Sequence, residues 1–246
     1  MDDKLLQRYM ETFYGYGNYA APFWFIGMEE GLGNEKEEIV RRLKQWNENG
    51  GKELEDLKEF YSAIGRPEFF TLLENRNDIK LQSTWAQLCR IVLTATKQRC
   101  DTGAVKCFQK RRLGRISNDV PSRGTCLLEL LPLPSPSLGD WNYEKWSKLE
   151  ILSSRENYKK NLLSIRIAYI QSLINYHKPK VVVFYGVTYQ SYWQEISCIP
   201  FNYQESNKIS TSDNGVTHFF SINHPAAMGS GNAYFENVGE LISKVL

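Results

Sequence analysis

Apolar residues along this chain follow two rhythms. Four runs, PFWFIG (22–27), TCLLELL (125–131), KVVVFYG (180–186) and THFFSIN (217–223), are nearly continuous, β-rich, and bounded by glycine, proline or a polar residue. Runs of that length and composition predict strands of a buried, mostly parallel sheet. Between them lie helical spacings: Trp85, Leu88, Val92 and Ala95; Leu163, Ile167, Ile170 and Ile174; Phe235, Val238, Ile242 and Val245. Strands alternating with helices predict an α/β fold, in which ligands bind beyond the carboxyl ends of the strands.

Residues 34–98 are charged and helix-patterned, with Ile39, Leu43 and Trp46 on one face and Leu54, Leu57 and Ile64 on another, separated by Asn49, Gly50 and Gly51. They read as a helical insertion into the sheet-forming unit. The proline-spaced PLPSPS at 132–137 predicts a stiff, extended loop.

The chain has 246 residues, 42% apolar and 13% aromatic, enough for one domain over 1–246 with a full core. A formal charge of +2 gives no global pull toward polyanions, so a nucleic-acid footprint has to be local. The start, MDDKLLQRYM, is acidic where a signal peptide is basic, and no run approaches the roughly 20 apolar residues that span a bilayer. A soluble, cytoplasmic protein is expected. Five cysteines without a C-x-x-C pair predict free, partly buried thiols, with no metal and no cofactor.

Two segments carry candidate chemistry. In FIGMEEGLG a strand ends at Gly27 and is followed by Met28 and the adjacent acids Glu29 and Glu30, which either position and deprotonate a water or cap the helix that follows. In SINHPAAMGSGN a strand delivers His224 into a loop stiffened by Pro225 and loosened by Gly229 and Gly231, a placement that suits catalysis as well as structure.

Together the segments resemble the paired signatures of the uracil-DNA glycosylase superfamily. GMEEG at 27–31 is similar to the family's GQDPY, GINPG or GMNPG, and HPAAMG at 224–229 to its HPSPLS. A third strand, written LLLN in the family, is matched by CLLEL, with Glu129 in place of the asparagine that reads the uracil edge. The resemblance implies a three-layer sandwich around a central, mostly parallel four-stranded sheet. It also implies hydrolysis of the N-glycosidic bond of a flipped base in DNA, without a metal, by a monomer. Glu29 then orients the attacking water, with Glu30, which replaces the family's proline, as the competing carboxylate. His224 donates to the base carbonyl O2 as the leaving group gains charge, an oxyanion-type role.

The departures point to the substrate. An ionised Glu129 only accepts hydrogen bonds, so it repels O4 of uracil and suits the N4 amino group of cytosine. Held protonated by burial, it would donate to cytosine N3. Gly31 stands where the strictest uracil-specific branch has a tyrosine against C5, which leaves room for a C5 substituent. The expected substrate is a C5-substituted cytosine, such as a hypermodified base of phage DNA, and the expected role is defence. Repair of uracil or another deaminated base, and a non-catalytic nucleic-acid-binding member of the fold, are the alternatives.

Met28 and Asn223 complete the expected base-recognition set. By the same resemblance Met228, four positions after the histidine, is the side chain that wedges into the base stack, unless it packs into the core. Gly229, Ser230 and Ser135 are expected to face phosphates. Over 106–123, Lys110, Arg111, Arg112, Arg115 and Arg123, with Lys106, form a local basic cluster against the single acid Asp119, for the DNA backbone or a solvated loop. Phe23, Trp24, Phe25 and Trp141 are candidate stacking aromatics.

Overall fold

The structure is a computed structural model that describes all residues except 32, 73–77, 118, 138 and 206–207. Among the described residues eight strands form one mixed sheet: β1 (Gly15–Gly17), β2 (Phe23–Gly27), β3 (Leu54–Glu55), β4 (Thr125–Glu129), β5 (Val181–Tyr185), β6 (Asn202–Gln204), β7 (Ile209–Asp213) and β8 (His218–Ile222). Their order is β3-β1-β4-β2-β5-β8-β7-β6. The four expected runs are its parallel centre, β4-β2-β5-β8, in one register: Phe25 lies beside Leu127 and Val183, and Val183 beside Phe220.

The four-stranded expectation is corrected at both edges. β1 joins β4 antiparallel and carries β3, while β7 joins β8 antiparallel and carries β6. These edge strands are two to five residues long and β6 is wholly exposed, so none presents the apolar run that marks a central strand. β3 also corrects the purely helical reading of 34–98, part of which lies outside the described residues. Between α2 (Lys36–Glu48) and α3 (Leu57–Ala63), the segment adds a strand to the sheet before continuing to α4 (Ser83–Ala95).

The other α-helices among the described residues are α1 (Asp3–Thr12), α5 (Thr102–Arg111), α6 (Tyr143–Trp146), α7 (Arg155–His177), α8 (Gln190–Ser197) and α9 (Asn232–Ser243). Trp24 meets His177 at the end of α7 and Phe184 stacks on Trp193 of α8, so α7 and α8 cover the face of the even-numbered β2 and β5 residues. On the other face Leu57 and Leu127 close around Gly114. α4 and α9 pack so tightly that a Cβ on Gly239 would lie 2.6 Å from Thr94 Cβ. Cys89 and Cys126 are buried in this core. Among the described residues no helix is long and apolar enough to cross a membrane.

The glycines of β1 are sterically required. Gly17 has φ +104°, and a Cβ there would sit 2.2 Å from the Thr125 carbonyl oxygen. Gly17→Ala is expected to lower stability by at least roughly 1–3 kcal/mol, the cost of a non-glycine residue in such a conformation. Urea denaturation checks this; an unchanged midpoint would contradict the pairing of β1 with β4.

Candidate active site

The parallel strands deliver their carboxyl ends to a pocket of about 480 Å³. Met28, Glu29, Glu30 and Gly31 reach it from the loop after β2, Glu129 from the end of β4, Ser135 from the loop beyond, and His224 two residues after β8. Three segments separated by most of the chain thus meet at one site.

The two adjacent acids have opposite environments. Glu30 is fully engaged: Arg42 grips it with both terminal nitrogens at 2.9 and 3.0 Å, Tyr16 donates to it at 2.7 Å, and Tyr61 donates to its other oxygen. Arg42 has no exposed surface and also packs over the Phe60 and Tyr61 rings. Glu30 is therefore held as a structural anion with no oxygen to spare for water. Glu29 receives Arg155 on Oε1, whereas its buried Oε2 has no hydrogen-bond partner among the described residues. A buried acceptor left open at a pocket wall is the place for a substrate or water hydrogen.

Glu129 stands beside Gly27 in the sheet register. Tyr185, the last residue of β5, lies across Gly27 so closely that a Cβ there would come within 2.3 Å of its ring, and its hydroxyl donates to Glu129 Oε1 at 2.8 Å. Burial, reinforced by the neighbouring Glu30 carboxylate, raises the Glu129 pKa to about 8. Its Oε2 is buried and unpartnered among the described residues. At neutral pH Glu129 is thus mainly a neutral acid, its free oxygen able to donate. Behind it Arg166, buried and over the Tyr14 ring, binds the carbonyls of Glu129 and Leu130 at 2.9 and 2.6 Å and fixes the end of β4.

His224 lies exposed at the rim, edge-on to Tyr185 with ring centroids 5.6 Å apart. Its Nδ1 accepts from the Ala226 amide at 3.1 Å, so in the neutral ring the proton sits on Nε2. Loss of hydration lowers its pKa and keeps the ring neutral. The imidazole is a neutral Nε2–H donor.

Other expected residues serve the scaffold or lie elsewhere. Asn223 donates to Ser230 at 3.0 Å and its amide to Tyr234, which braces the histidine loop from behind; neither Asn223 nor Ser230 lines the pocket. Ser135 reaches the lining, but its amide binds the Glu30 carbonyl and its hydroxyl sits among Ser137, Asp140 and Arg155, leaving no free donor for phosphate. Met228 is 103% exposed, which excludes the core alternative, and Gly229 beside it takes φ +83°. At Gly31 an added Cβ would meet nothing within 4 Å.

The basic cluster is partly neutralised. Lys106 pairs with Asp78, Arg112 with Asp119, and Arg115 with Asp56 and Glu59, acids that the local sequence count of 106–123 mostly omits. Arg115 borders a hollow with Asn18, Ala21 and Gly124, next to the amino ends of β2 and β4, and Arg123 immediately precedes β4; both are at the sheet end away from the pocket. Lys110 and Arg111 close α5, and neither lines the pocket. The stacking candidates are also corrected: Phe23, Trp24 and Phe25 are strand-interior core residues, and Trp141 packs on Tyr143 and Tyr158. The aromatic wall instead comes from Tyr61, Phe69 and Trp85, with Tyr189 opposite in origin.

No family model matches this chain, and no curated protein or solved structure matches it either. Among the described residues no group of three or more His, Cys, Asp or Glu side chains is arranged to hold a metal ion.

Sequence reasoning missed Tyr185, although it ends a recognised strand at the same sheet end as the other site residues. It also missed Arg42, which lies 12 residues after Glu30, and Arg155 and Arg166, whose partners Glu29 and Leu130 are further off in sequence. Arg42→Met leaves Glu30 charged and uncompensated and is expected to cost roughly 3–5 kcal/mol, part of which Glu30→Gln should recover on that background; a double-mutant cycle by urea denaturation measures both. Glu129 gives a pH signature. Between its unfolded value near 4.5 and its folded value of about 8, the folded state binds the extra proton, so stability falls as pH rises through that window and then levels off. Glu129→Gln should therefore gain on the wild type in melting temperature from about pH 5 to about pH 9, and a constant difference would contradict the raised pKa.

Proposed function

We propose that the chain is a monofunctional DNA glycosylase of the uracil-DNA glycosylase type that excises a flipped, C5-substituted cytosine, and that it serves in defence against modified phage DNA. The observation that carries this reading is the convergence of an open Glu29 oxygen, a neutral Nε2–H of His224 and a neutral Glu129 on one pocket. Glu29 Oε2 orients a water toward C1′ and takes its proton as the new C–O bond forms. The C1′–N1 bond breaks with its electron pair moving to the base, whose O2 receives the His224 hydrogen bond while Glu129 transfers its proton to N3 and is left as the carboxylate. The base leaves neutral and an abasic site remains.

Glu29 and Glu30 divide the work: Glu29 acts on water and Glu30 anchors the loop. Met228, apolar and fully exposed beside Gly229 with its positive φ, suits the wedge that holds the duplex open. A neutral Glu129 can also donate to O4 of uracil, so that specific observation keeps deaminated-base repair as the second reading. The open space at Gly31 favours the C5-substituted ring.

Incubation with duplexes bearing cytosine, uracil or 5-hydroxymethylcytosine, followed by alkaline cleavage of abasic sites, tests the activity. His224→Ala is expected to lower the rate by about 10²- to 10³-fold, the cost of losing one oxyanion donor. The wild-type rate should fall as pH rises past about 8, where Glu129 loses its proton. Tight DNA binding with no base released from any duplex, including sugar-modified ones, would leave a binding module and overturn the catalytic reading.

A further inference from the structure

The pocket exceeds what a flipped pyrimidine requires. Its volume of about 480 Å³ lies in the range of roughly 300–1,000 Å³ that receives whole drug-sized ligands, and a pyrimidine is a single six-membered ring. The strand-end residues account for one wall and for all the proposed chemistry. Phe69, Gln82, Ser83, Thr84 and Trp85 form another, and the reaction uses none of them.

That second wall has a defined chemistry. Phe69 and Trp85 lie edge-to-face, ring centroids 5.4 Å apart, and supply apolar surface. Ser83 and Thr84, in the first turn of α4, border the same space, and their hydroxyls make no hydrogen bond among the described residues. The pocket carries little uncompensated charge: Arg155 offsets Glu29, Arg42 offsets Glu30, and Arg66 is paired with Glu68 at 3.0 Å. Neither an anionic nor a cationic substituent finds a counter-charge there. Aromatic surface with free hydroxyls and no net charge matches a neutral polyol, whose C–H faces pack on rings while its hydroxyls exchange hydrogen bonds.

Resting on the glycosylase reading, we infer that this wall receives a neutral, sugar-sized substituent carried on C5 of the excised base, so that the substrate is a glycosylated hydroxymethylpyrimidine. Gly31 leaves the strand-end wall open on the C5 side, where a larger residue would occupy the space. The wall is a specificity element, distinct from the groups that break the bond.

The experiment compares base release from duplexes containing 5-hydroxymethylcytosine and 5-(glucosyloxymethyl)cytosine. The wild type is expected to favour the glucosylated base in kcat/KM by at least about tenfold, and Trp85→Ala and Thr84→Val should each lower that ratio by roughly tenfold, in line with the loss of a shaped or hydrogen-bonded contact. The ratio is its own control for reduced folding, and Thr84→Val covers the case in which Trp85→Ala does not fold. Release of 5-hydroxymethylcytosine as fast as, or faster than, the glucosylated base overturns the inference and leaves the glycosylase reading intact. An unchanged ratio in both variants does the same. Release of neither base makes the glycosylase reading fail for these substrates. Equilibrium binding of the two duplexes then decides the inference separately: equal affinity overturns it, and tighter binding of the glucosylated duplex, lost in Thr84→Val, supports it.

Discussion

The buried pair of Arg42 and Glu30 is the constraint around which the site is arranged. A guanidinium with no exposed surface loses most of its hydration, and a carboxylate gripping both of its terminal nitrogens offsets that loss only while the geometry holds. Such a pair says little for net stability and much for position. Tyr16 brings β1 to the pair, Arg42 brings α2 and Tyr61 brings α3, so the loop after β2 is held from three sides. Glu29, one residue earlier, inherits a fixed backbone and keeps one oxygen open.

Three carboxyl groups within one pocket therefore take three states. Glu30 is charged and fully bonded, Glu29 is half-bonded, and Glu129 is pushed toward its neutral form by burial and by the negative charge of Glu30. Pushing the ionisation of neighbouring acids apart is how one site holds an acid and a base at the same pH. Arg42 and Arg155, which bind Glu30 and Glu29, touch no reacting atom in the proposed chemistry, and the Tyr185 hydrogen bond works against the rise at Glu129 without cancelling it.

The centre of the fold was legible because continuous β-rich runs and helical spacing each reflect burial on known faces. All four central strands follow from that pattern, and so does the convergence of Glu29, Glu129 and His224 at their carboxyl ends. The edges were not legible: GYG, LE and NYQ are too short and too polar to register, and β1 depends on glycines that a Cβ would exclude rather than on apolar residues. The partition between Glu29 and Glu30 was equally hidden, since Arg42 and Arg155 lie on different helices far from each other in the chain. A local charge count over 106–123 also missed the acids that neutralise part of it, because they arrive largely from 56–78.

The ion pair between Glu29 and Arg155 spans 126 residues, and the strand bearing His224 comes later still. Contacts so far apart in sequence close only after much of the chain has been ordered, because each must offset a large loss of loop entropy. During synthesis the first motif leaves the ribosome long before α7 or the histidine loop exists. A partly made chain thus carries Glu29 without Arg155, and the site becomes complete only when the last strand has joined the sheet.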